Sequence, residues 1–435
     1  MPDAHGKKKI SAPPALLGRE QEVHYIGSLL AAGGAYIPFL WGKPGSGKTV
    51  ILDYLKTRPQ TKSPRTGLQV VSAPLYLKSP SKWEKSDLLL IDHTERLSGE
   101  AFDQMMECLD SFRKKTGRRA VLTFATGTVS FDVEIILRKY RFLKPVEIKP
   151  LGRSHTSLLL TQFAKKRGVA VTGETIDSVI NVAQDFFSAK TLPGSAMEIF
   201  DIALSMAKDS GRTDQSEIME KMALILGVDP QLLSRSAAQR VEWFLESRVS
   251  RLDQIRLSQA GRAMANVIIP RLSSSGARRK PLGSFIIAGM DTRPVHEFAK
   301  DLALNLFGFS DCFLPLLLIG RGREETPAIL GKIRNLLDGR PGGVVVLAGV
   351  EKAALNMIEA LEKILEEGIY QEGYSKKTDL GRTILIFSTE VGDSLVTNAN
   401  YVPSQLQKNV IRDVQISLPP PIWKRVDGIF IADQG

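Results

Sequence analysis

Gly42-Lys43-Pro44-Gly45-Ser46-Gly47-Lys48-Thr49 stands between an apolar run, Tyr36 to Trp41, and a helix-like run, Val50 to Lys56. Strand, glycine-rich loop and helix start is the order a phosphate-binding loop requires. Glycines let the backbone turn tightly, so that several N–H groups face one concavity. The helix N-terminus adds partial positive charge behind it. In such a loop Lys48 reaches the β- and γ-phosphates and the Thr49 hydroxyl holds Mg²⁺. Gly42, Pro44, Gly45, Ser46, Gly47, Lys48 and Thr49 are therefore the candidate nucleotide-binding residues.

The surrounding chain supplies the rest of such a site. Leu88-Leu89-Leu90-Ile91 is a strong apolar strand ending in Asp92. An acidic residue there is the usual second group on the metal side, so Thr49 and Asp92 are the expected metal ligands. A helix is expected from Gly99 to Lys115. A third strand, Ala120 to Ala125, leads into Thr126-Gly127-Thr128, where a polar group can touch the γ-phosphate or position water. Strands alternating with helices predict a parallel sheet with its ligand at the strands' C-terminal ends.

From Thr156 to Lys208 the pattern turns helical, broken at Gly173 and at Leu192-Pro193-Gly194. Residues 211–240 are polar and helix-rich and read as a linker. A long helical stretch from Val241 to about Leu272 opens a second half. Strands are expected at Leu282 to Gly289, Phe313 to Ile319, Val344 to Leu347 and Thr383 to Phe387. Helices are expected at Val295 to Phe307 and Ala353 to Glu367. The order of the first half is repeated, which implies an internal duplication.

Length, 435 residues, allows two to four domains, and the composition is that of an ordinary globular protein. No apolar run has the length of a membrane span. The N-terminal stretch, residues 1–14, lacks the apolar core of a secretory signal and reads as a flexible basic arm. Cys108 and Cys312 lie far apart and are expected as free thiols in a reducing compartment, hence a cytoplasmic location. None of the five histidines has metal-ligand spacing with a cysteine or another histidine. Net charge is +11, with clusters at Lys7-Lys8-Lys9, Arg278-Arg279-Lys280 and Lys376-Lys377. Such a balance permits nucleic acid, an acidic protein or an anionic surface as a partner and selects none of them.

Order and motifs together resemble the Clp-type AAA+ ATPases over about residues 16–435. In the first half the resemblance rests on Leu17-Gly18-Arg19-Glu20, the phosphate loop, Leu89-Leu90-Ile91-Asp92 and Ala125-Thr126. It continues through Tyr140-Arg141-Phe142, Val146-Glu147-Ile148 and Leu192-Pro193 with Ala196 to Ala203. In the second half it rests on Pro281 to Phe285, Val344 to Lys352, Leu365 to Gly368, Arg382 to Thr389 and Pro421 to Asp427. The resemblance implies an α/β fold with two tandem P-loop AAA+ modules, each a parallel sheet flanked by helices. It places an α/β nucleotide-binding subdomain at 15–150, a helical lid at 151–210 and a second module without a lid at 241–435. It implies that Lys48, Thr49 and Asp92 bind ATP–Mg²⁺, that Thr126 is the sensor 1 residue, and that backbone near Leu17-Gly18 lines the adenine pocket. It implies that Arg141 is an arginine finger offered to a neighbouring subunit, and so a homo-oligomer.

The departures narrow the function. In the second half Pro294-Val295-His296 stand where Gly-Lys-Thr belongs, and Ala348-Gly349 replace the Walker B acids. Proline removes an N–H and valine cannot neutralise phosphate. In the first half His93 stands where the family has its water-activating Glu, leaving His93 or Glu95 as the candidate base. No aromatic-Gly pore segment is visible in either half. The expectation is an ATP-binding, chaperone-like protein with one intact site and a pseudo-ATPase second module, in an assembly, scaffold or regulatory role. The alternatives are a slow but active ATPase that remodels a protein partner, and an ATPase of nucleic-acid transactions.

Overall fold

The computed structural model describes residues 16–57, 68–83, 86–126, 133–187, 190–209, 213–273, 280–318, 325–338, 340–371, 378–397 and 403–433. The basic arm and the clusters Arg278-Arg279 and Lys376-Lys377 lie outside the described residues. The chain divides into two compact units: Met1–Arg167 with Lys190–Met197, and Gly168–Ala189 with Glu198–Gly435.

In the first unit the strands are β1 (Ile37–Gly42), β2 (Leu68–Ser72), β3 (Leu88–Asp92), β4 (Arg119–Ala125) and β5 (Leu143–Glu147). They form one parallel sheet in the order β2-β3-β4-β1-β5. Every residue of β3 is buried, as expected of a parallel sheet covered on both faces. Alternate residues serve opposite faces. Phe39, Leu89, Ile91, Leu122 and Phe124 pack with Phe102, Met105, Met106 and Leu109 of the helix Gly99–Thr116. Leu40, Leu90, Val121 and Val146 pack with Ile26 and Leu30 of the helix Glu20–Ala31 and with Ile51, Leu52 and Leu55 of the helix Lys48–Thr57. The helix Gly99–Thr116 starts where Ser98 Oγ accepts the Ala101 N–H, and stops at left-handed Gly117. β5 carries Pro145, tolerated because the strand is the edge of the sheet.

The second unit repeats the plan. Its strands are β6 (Gly283–Ala288), β7 (Phe313–Leu317), β8 (Gly343–Ala348), the two-residue hairpin partners β9 (Ile369–Tyr370) and β10 (Thr378–Asp379), then β11 (Thr383–Thr389) and β12 (Gly428–Ile431). The five-stranded sheet is parallel, in the order β7-β8-β11-β6-β12. Numbered by role, that is the same order as in the first sheet, so the duplication read from the element sequence is present in the fold. β6, β8 and β11 are buried throughout.

Helices occupy the stretches between. Arg153–Lys166, Gly173–Phe186 and Gly194–Asp209 respect the breaks expected at Gly173 and Leu192-Pro193-Gly194. The stretch 211–240 holds the helices Gln215–Leu226 and Pro230–Leu233, capped by Asp214 and Asp229, and the start of Ala237–Ser247. The helical stretch expected from Val241 to about Leu272 is made of three helices, Ala237–Ser247, Val249–Gln254 and Ser258–Ser273, with left-handed Arg256 between the last two.

Arg240 explains why Gly173–Phe186 belongs with the second unit. Its guanidinium is buried and donates to the carbonyls of Leu306 (3.0 Å) and Arg235 (2.9 Å) and to Asp185 Oδ2 (3.0 Å). Arg382 also pairs with Asp185. Burial pushes the Arg240 pKa down, opposed by Asp185. Cys312 is buried, and its thiol is pushed up to about 12 by that burial. No helix among the described residues is long and apolar enough to cross a membrane.

Candidate nucleotide site

The loop between β1 and the helix Lys48–Thr57 lies at the C-terminal ends of the strands. Gly45 and Gly47 have φ of 82° and 97°, the left-handed region that side chains resist. A Cβ on Gly45 would lie 2.5 Å from the Thr191 carbonyl oxygen, so glycine is required there on two counts. Lys48 opens the helix, whose first N–H groups have no carbonyl a turn earlier to bond. Lys48 Nζ donates to the carbonyl oxygens of Gly42 (2.8 Å) and Lys43 (2.9 Å). Burial pushes its pKa down to about 8, with the carboxylates of Glu95 and Asp92 opposing. A half-desolvated ammonium held on backbone carbonyls is suited to exchange them for phosphate oxygens. Ser46 Oγ, in the same loop, is buried with no hydrogen-bond partner.

Thr49 and Asp92, the residues expected on the metal side, meet at the end of β3. Thr49 Oγ1 donates to Asp92 Oδ2 at 2.9 Å. Asp92 Oδ1 accepts from the His93 N–H at 3.0 Å and from the Thr123 hydroxyl. Thr123 is thus a site residue that sequence reading missed. Its signal was available: it is a polar residue in the middle of the apolar run of β4, where both faces are covered.

His93 sits at φ 60°, ψ 47°, left-handed for a residue with a side chain. That turn starts a three-residue 3₁₀ helix, Thr94–Arg96, which brings Glu95 back toward the sheet. Glu95 is buried; its Oε2 accepts the Ala125 N–H at 3.0 Å and its Oε1 lies 3.0 Å from His93 Nδ1. His93 Nε2 in turn lies 3.5 Å from Asp92 Oδ2. Asp92, His93 and Glu95 are therefore one connected group. Thr126 is tied instead to the loop: its N–H donates to Gly42 O at 3.0 Å, the carbonyl that also accepts from Lys48 Nζ.

Leu17 and Gly18 are held near the loop through their neighbours. Gly18 is left-handed, and a Cβ there would lie 2.9 Å from the His155 ring and 3.1 Å from Leu151. The next residue, Arg19, is buried and donates to the carbonyls of Ser46 (2.8 Å) and Lys149, and to Glu22 (2.9 Å). It ties the Leu17-Gly18 turn to the phosphate loop. Leu151 N–H donates to Leu192 O at 3.2 Å, and Thr191 N–H donates to Pro44 O at 2.8 Å. Leu17-Gly18, the loop and Leu192-Pro193 are so drawn around one place. Arg141 is not. It is exposed and stands two residues before β5, at the end of the sheet away from the loop. A five-residue strand is roughly 16 Å long, so Arg141 does not reach the phosphate loop of its own chain.

The matching end of the second sheet is built differently. Asp291 accepts the Arg293 N–H and caps a helix that begins at Thr292, three residues earlier than the expected Val295. The last three residues that would form a loop, Thr292 to Pro294, are wound into the helix. Val295, in the place of Lys48, is buried in the core. His296 packs its ring edge-on against Phe313, and its pKa is lowered by burial, with Asp291 opposing. β8 ends in Ala348, followed by left-handed Gly349 and the 3₁₀ helix Val350–Lys352. Glu351 therefore matches Glu95, without an Asp or His before it.

No family model matches the chain. It is 26% identical to chaperone protein ClpB of Oceanobacillus iheyensis over 540 aligned positions, covering 96% of this chain and 65% of that protein. It is 25% identical to ClpB of Clostridium perfringens over 311 positions, covering 64% of this chain and 35% of that one. Among solved structures, the S. cerevisiae Hsp104–ADP complex superposes with a TM-score of 0.76 at 20% identity, over 98% of this chain and 81% of that chain. The chain is distantly similar to ClpB in sequence and shares the fold of Hsp104. The S. cerevisiae Hsp104:casein complex in its extended conformation also matches, with a TM-score of 0.61. The matched stretch spans between 20% and 65% of the length of the ClpB relatives it aligns with. Its two five-stranded parallel sheets, each flanked by helices, match the two AAA+ modules of the Hsp104 fold.

Proposed function

We propose that the chain binds ATP–Mg²⁺ through its first module alone, and that the nucleotide controls assembly with further copies while the second module serves as a nucleotide-free scaffold. The observation that carries this is the contrast between two otherwise equivalent strand ends. At one, Lys48, Thr49 and Asp92 converge on a glycine loop. At the other, Asp291 caps the helix with its own carboxylate, and Val295 and Ala348 stand in the key places. A carboxylate at that helix start repels phosphate and occupies its donors.

The residues present fit the nucleotide and its metal. Lys48 and the loop backbone would hold the β- and γ-phosphates, and Thr49 Oγ1 and Asp92 Oδ2 would hold the ion. The Leu17-Gly18 turn with Leu151 and Leu192 would hold the base. The ion supplies charge neutralisation on the phosphates. Arg141, exposed and remote from its own loop, has the placement of a group that acts on a neighbour.

The contact between His93 and Glu95 favours a second reading, a slow ATPase acting on a protein partner. A carboxylate 3.0 Å from Nδ1 orients an imidazole as it does in general-base pairs. The test is ATP turnover measured beside oligomeric state. On the assembly reading, one ATPγS binds per chain, nucleotide shifts the chain to a larger species, and phosphate release stays at background. Lys48→Ala removes both binding and the shift. Turnover that disappears in His93→Gly or Glu95→Gln would overturn the assembly reading in favour of the enzyme. Two nucleotides per chain would overturn the single-site reading.

A further inference from the structure

The histidine that replaces a family glutamate is more than a missing base. Glu95 commits Oε2 to the Ala125 N–H and turns Oε1 to His93 Nδ1. Nδ1 is therefore the ring nitrogen turned to Glu95, and Nε2 is turned to the end of β3. Nε2 lies 3.5 Å from Asp92 Oδ2, itself 2.9 Å from Thr49 Oγ1. Neighbouring ligands of an octahedral ion with bonds of about 2.0–2.1 Å stand about 3 Å apart. The second spacing matches that edge and the first is somewhat longer, so the three atoms line one place beside the loop.

We propose that His93 Nε2 is a ligand of the ion carried with the nucleotide, and that the site takes a first-row transition ion in preference to Mg²⁺. The inference rests on the nucleotide-binding reading above. Among the described residues, no group of three or more His, Cys, Asp or Glu side chains is placed to hold a metal ion by itself. The set here is one carboxylate, one hydroxyl and one imidazole, completed by phosphate oxygens and water. An all-oxygen set suits Mg²⁺, whereas an imidazole shifts preference toward the later ions. Glu95 is the carboxylate that fixes the histidine tautomer from behind, the usual support of a metal-bound imidazole. Left-handed His93 is what aims the ring: its counterpart after β8 is Gly349, in the same conformation with no ligand to present. A nitrogen bound to the ion is not free to take a proton from water. The proposal therefore accounts for a retained metal position beside a lost base.

The test uses the full chain with ATPγS. With Mn²⁺, electron spin-echo modulation is expected to show a ¹⁴N coupling typical of a bound imidazole, absent in His93→Gly, whose backbone Gly349 shows to be compatible with this turn. In Glu95→Gln the side-chain oxygen must still accept the Ala125 N–H, so its NH₂ faces Nδ1 and forces the proton to Nε2. The coupling is expected to disappear there too, with the histidine intact. In parallel, the ratio of ATPγS affinities with Co²⁺ and with Mg²⁺ is expected to fall by about tenfold or more in either variant. Nucleotide binding with no ¹⁴N coupling and an unchanged ratio would overturn the inference and leave the nucleotide site standing. Failure to bind ATPγS with any of the three ions would overturn both. A coupling that persists in His93→Gly would assign the nitrogen to the nucleotide base and reject His93 as the ligand.

Discussion

Gly194 donates its backbone N–H to the carbonyl of Gly45 at 3.0 Å, so the phosphate loop and the start of the helix Gly194–Asp209 are joined backbone to backbone. Thr191 strengthens the join with two bonds to Pro44 O, from its N–H at 2.8 Å and its hydroxyl at 3.0 Å. The approach leaves no room for a side chain: a Cβ on Gly194 would lie 2.5 Å from Gly45 Cα and 2.7 Å from its carbonyl oxygen. The loop's shape is thus set from outside as well as by its own glycines.

Gly194→Ala is therefore expected to push the segment off the loop. Overpacking of this kind costs about 1–3 kcal/mol. Because the displaced atoms belong to Gly45, nucleotide affinity should fall as well as stability. Thermal unfolding with and without ATPγS separates the two: a smaller nucleotide-induced rise in Tm than in wild type is the expected result. An unchanged rise would show that the join is incidental to the site.

Much of this site is legible in the sequence because it is local. The loop, Asp92 and the apolar strands β1, β3 and β4 each occupy a few consecutive residues with a distinct pattern. What was not legible depends on contacts across sequence. Glu95 reaches His93 and Ala125 only because His93 takes a left-handed turn, which no composition rule predicts for histidine. Gly194 looks like an ordinary helix break until Gly45 is placed against it. The second module's helix was expected from Val295, from its apolar spacing, and starts at Thr292 because Asp291 caps it. β12 is a four-residue strand, too short for a periodic signal. Arg240, in a polar stretch read as linker, gave no hint of being buried.

That buried guanidinium carries the second prediction. Arg240 satisfies the carbonyls of Leu306 and Arg235 and pairs with Asp185, beneath the ring of Phe186. Arg240→Ala removes all of these at once and opens a cavity. Removing one partner of a buried pair costs about 3–5 kcal/mol. Urea unfolding should show a loss of that order. Arg240→Lys is expected to recover little, since one ammonium cannot follow a planar fork of donors. A loss under about 1 kcal/mol would contradict the burial argument.

Asp427 supplies the pH dependence. Its carboxylate is held by Arg271, with N···O distances of 2.6 and 2.7 Å, and accepts from the Ser284 N–H and hydroxyl at 2.9 and 3.0 Å. Burial pushes its pKa up, but Arg271 and Ser284 outweigh burial and hold it below the ordinary aspartate value. A group whose folded pKa is depressed stabilises above its unfolded pKa, about 3.9 for aspartate. That contribution is lost as pH falls from there through the folded pKa. Asp427→Asn should cost about 1–3 kcal/mol at pH 7. The gap between wild type and variant should close in strong acid. A gap of constant size from pH 7 down to pH 2, measured by denaturant unfolding, would remove Asp427 as its source.

Arg141 tests whether the nucleotide works between copies. It lies exposed before β5, while the loop lies beyond the far end of that sheet. In a single chain it cannot touch phosphates held by Lys48 on the proposed reading. Arg141→Ala is therefore expected to bind ATPγS like wild type when the protein is dilute enough to be monomeric. Near-identical affinity under those conditions separates it from Lys48→Ala, which should not bind. At higher concentration the two variants should converge, both failing to form the nucleotide-dependent larger species. Sedimentation velocity with and without ATPγS reads that outcome directly. If Arg141→Ala assembles normally, the contact that closes on the nucleotide comes from another residue. If it loses nucleotide binding as a monomer, the separation inferred from the sheet is wrong.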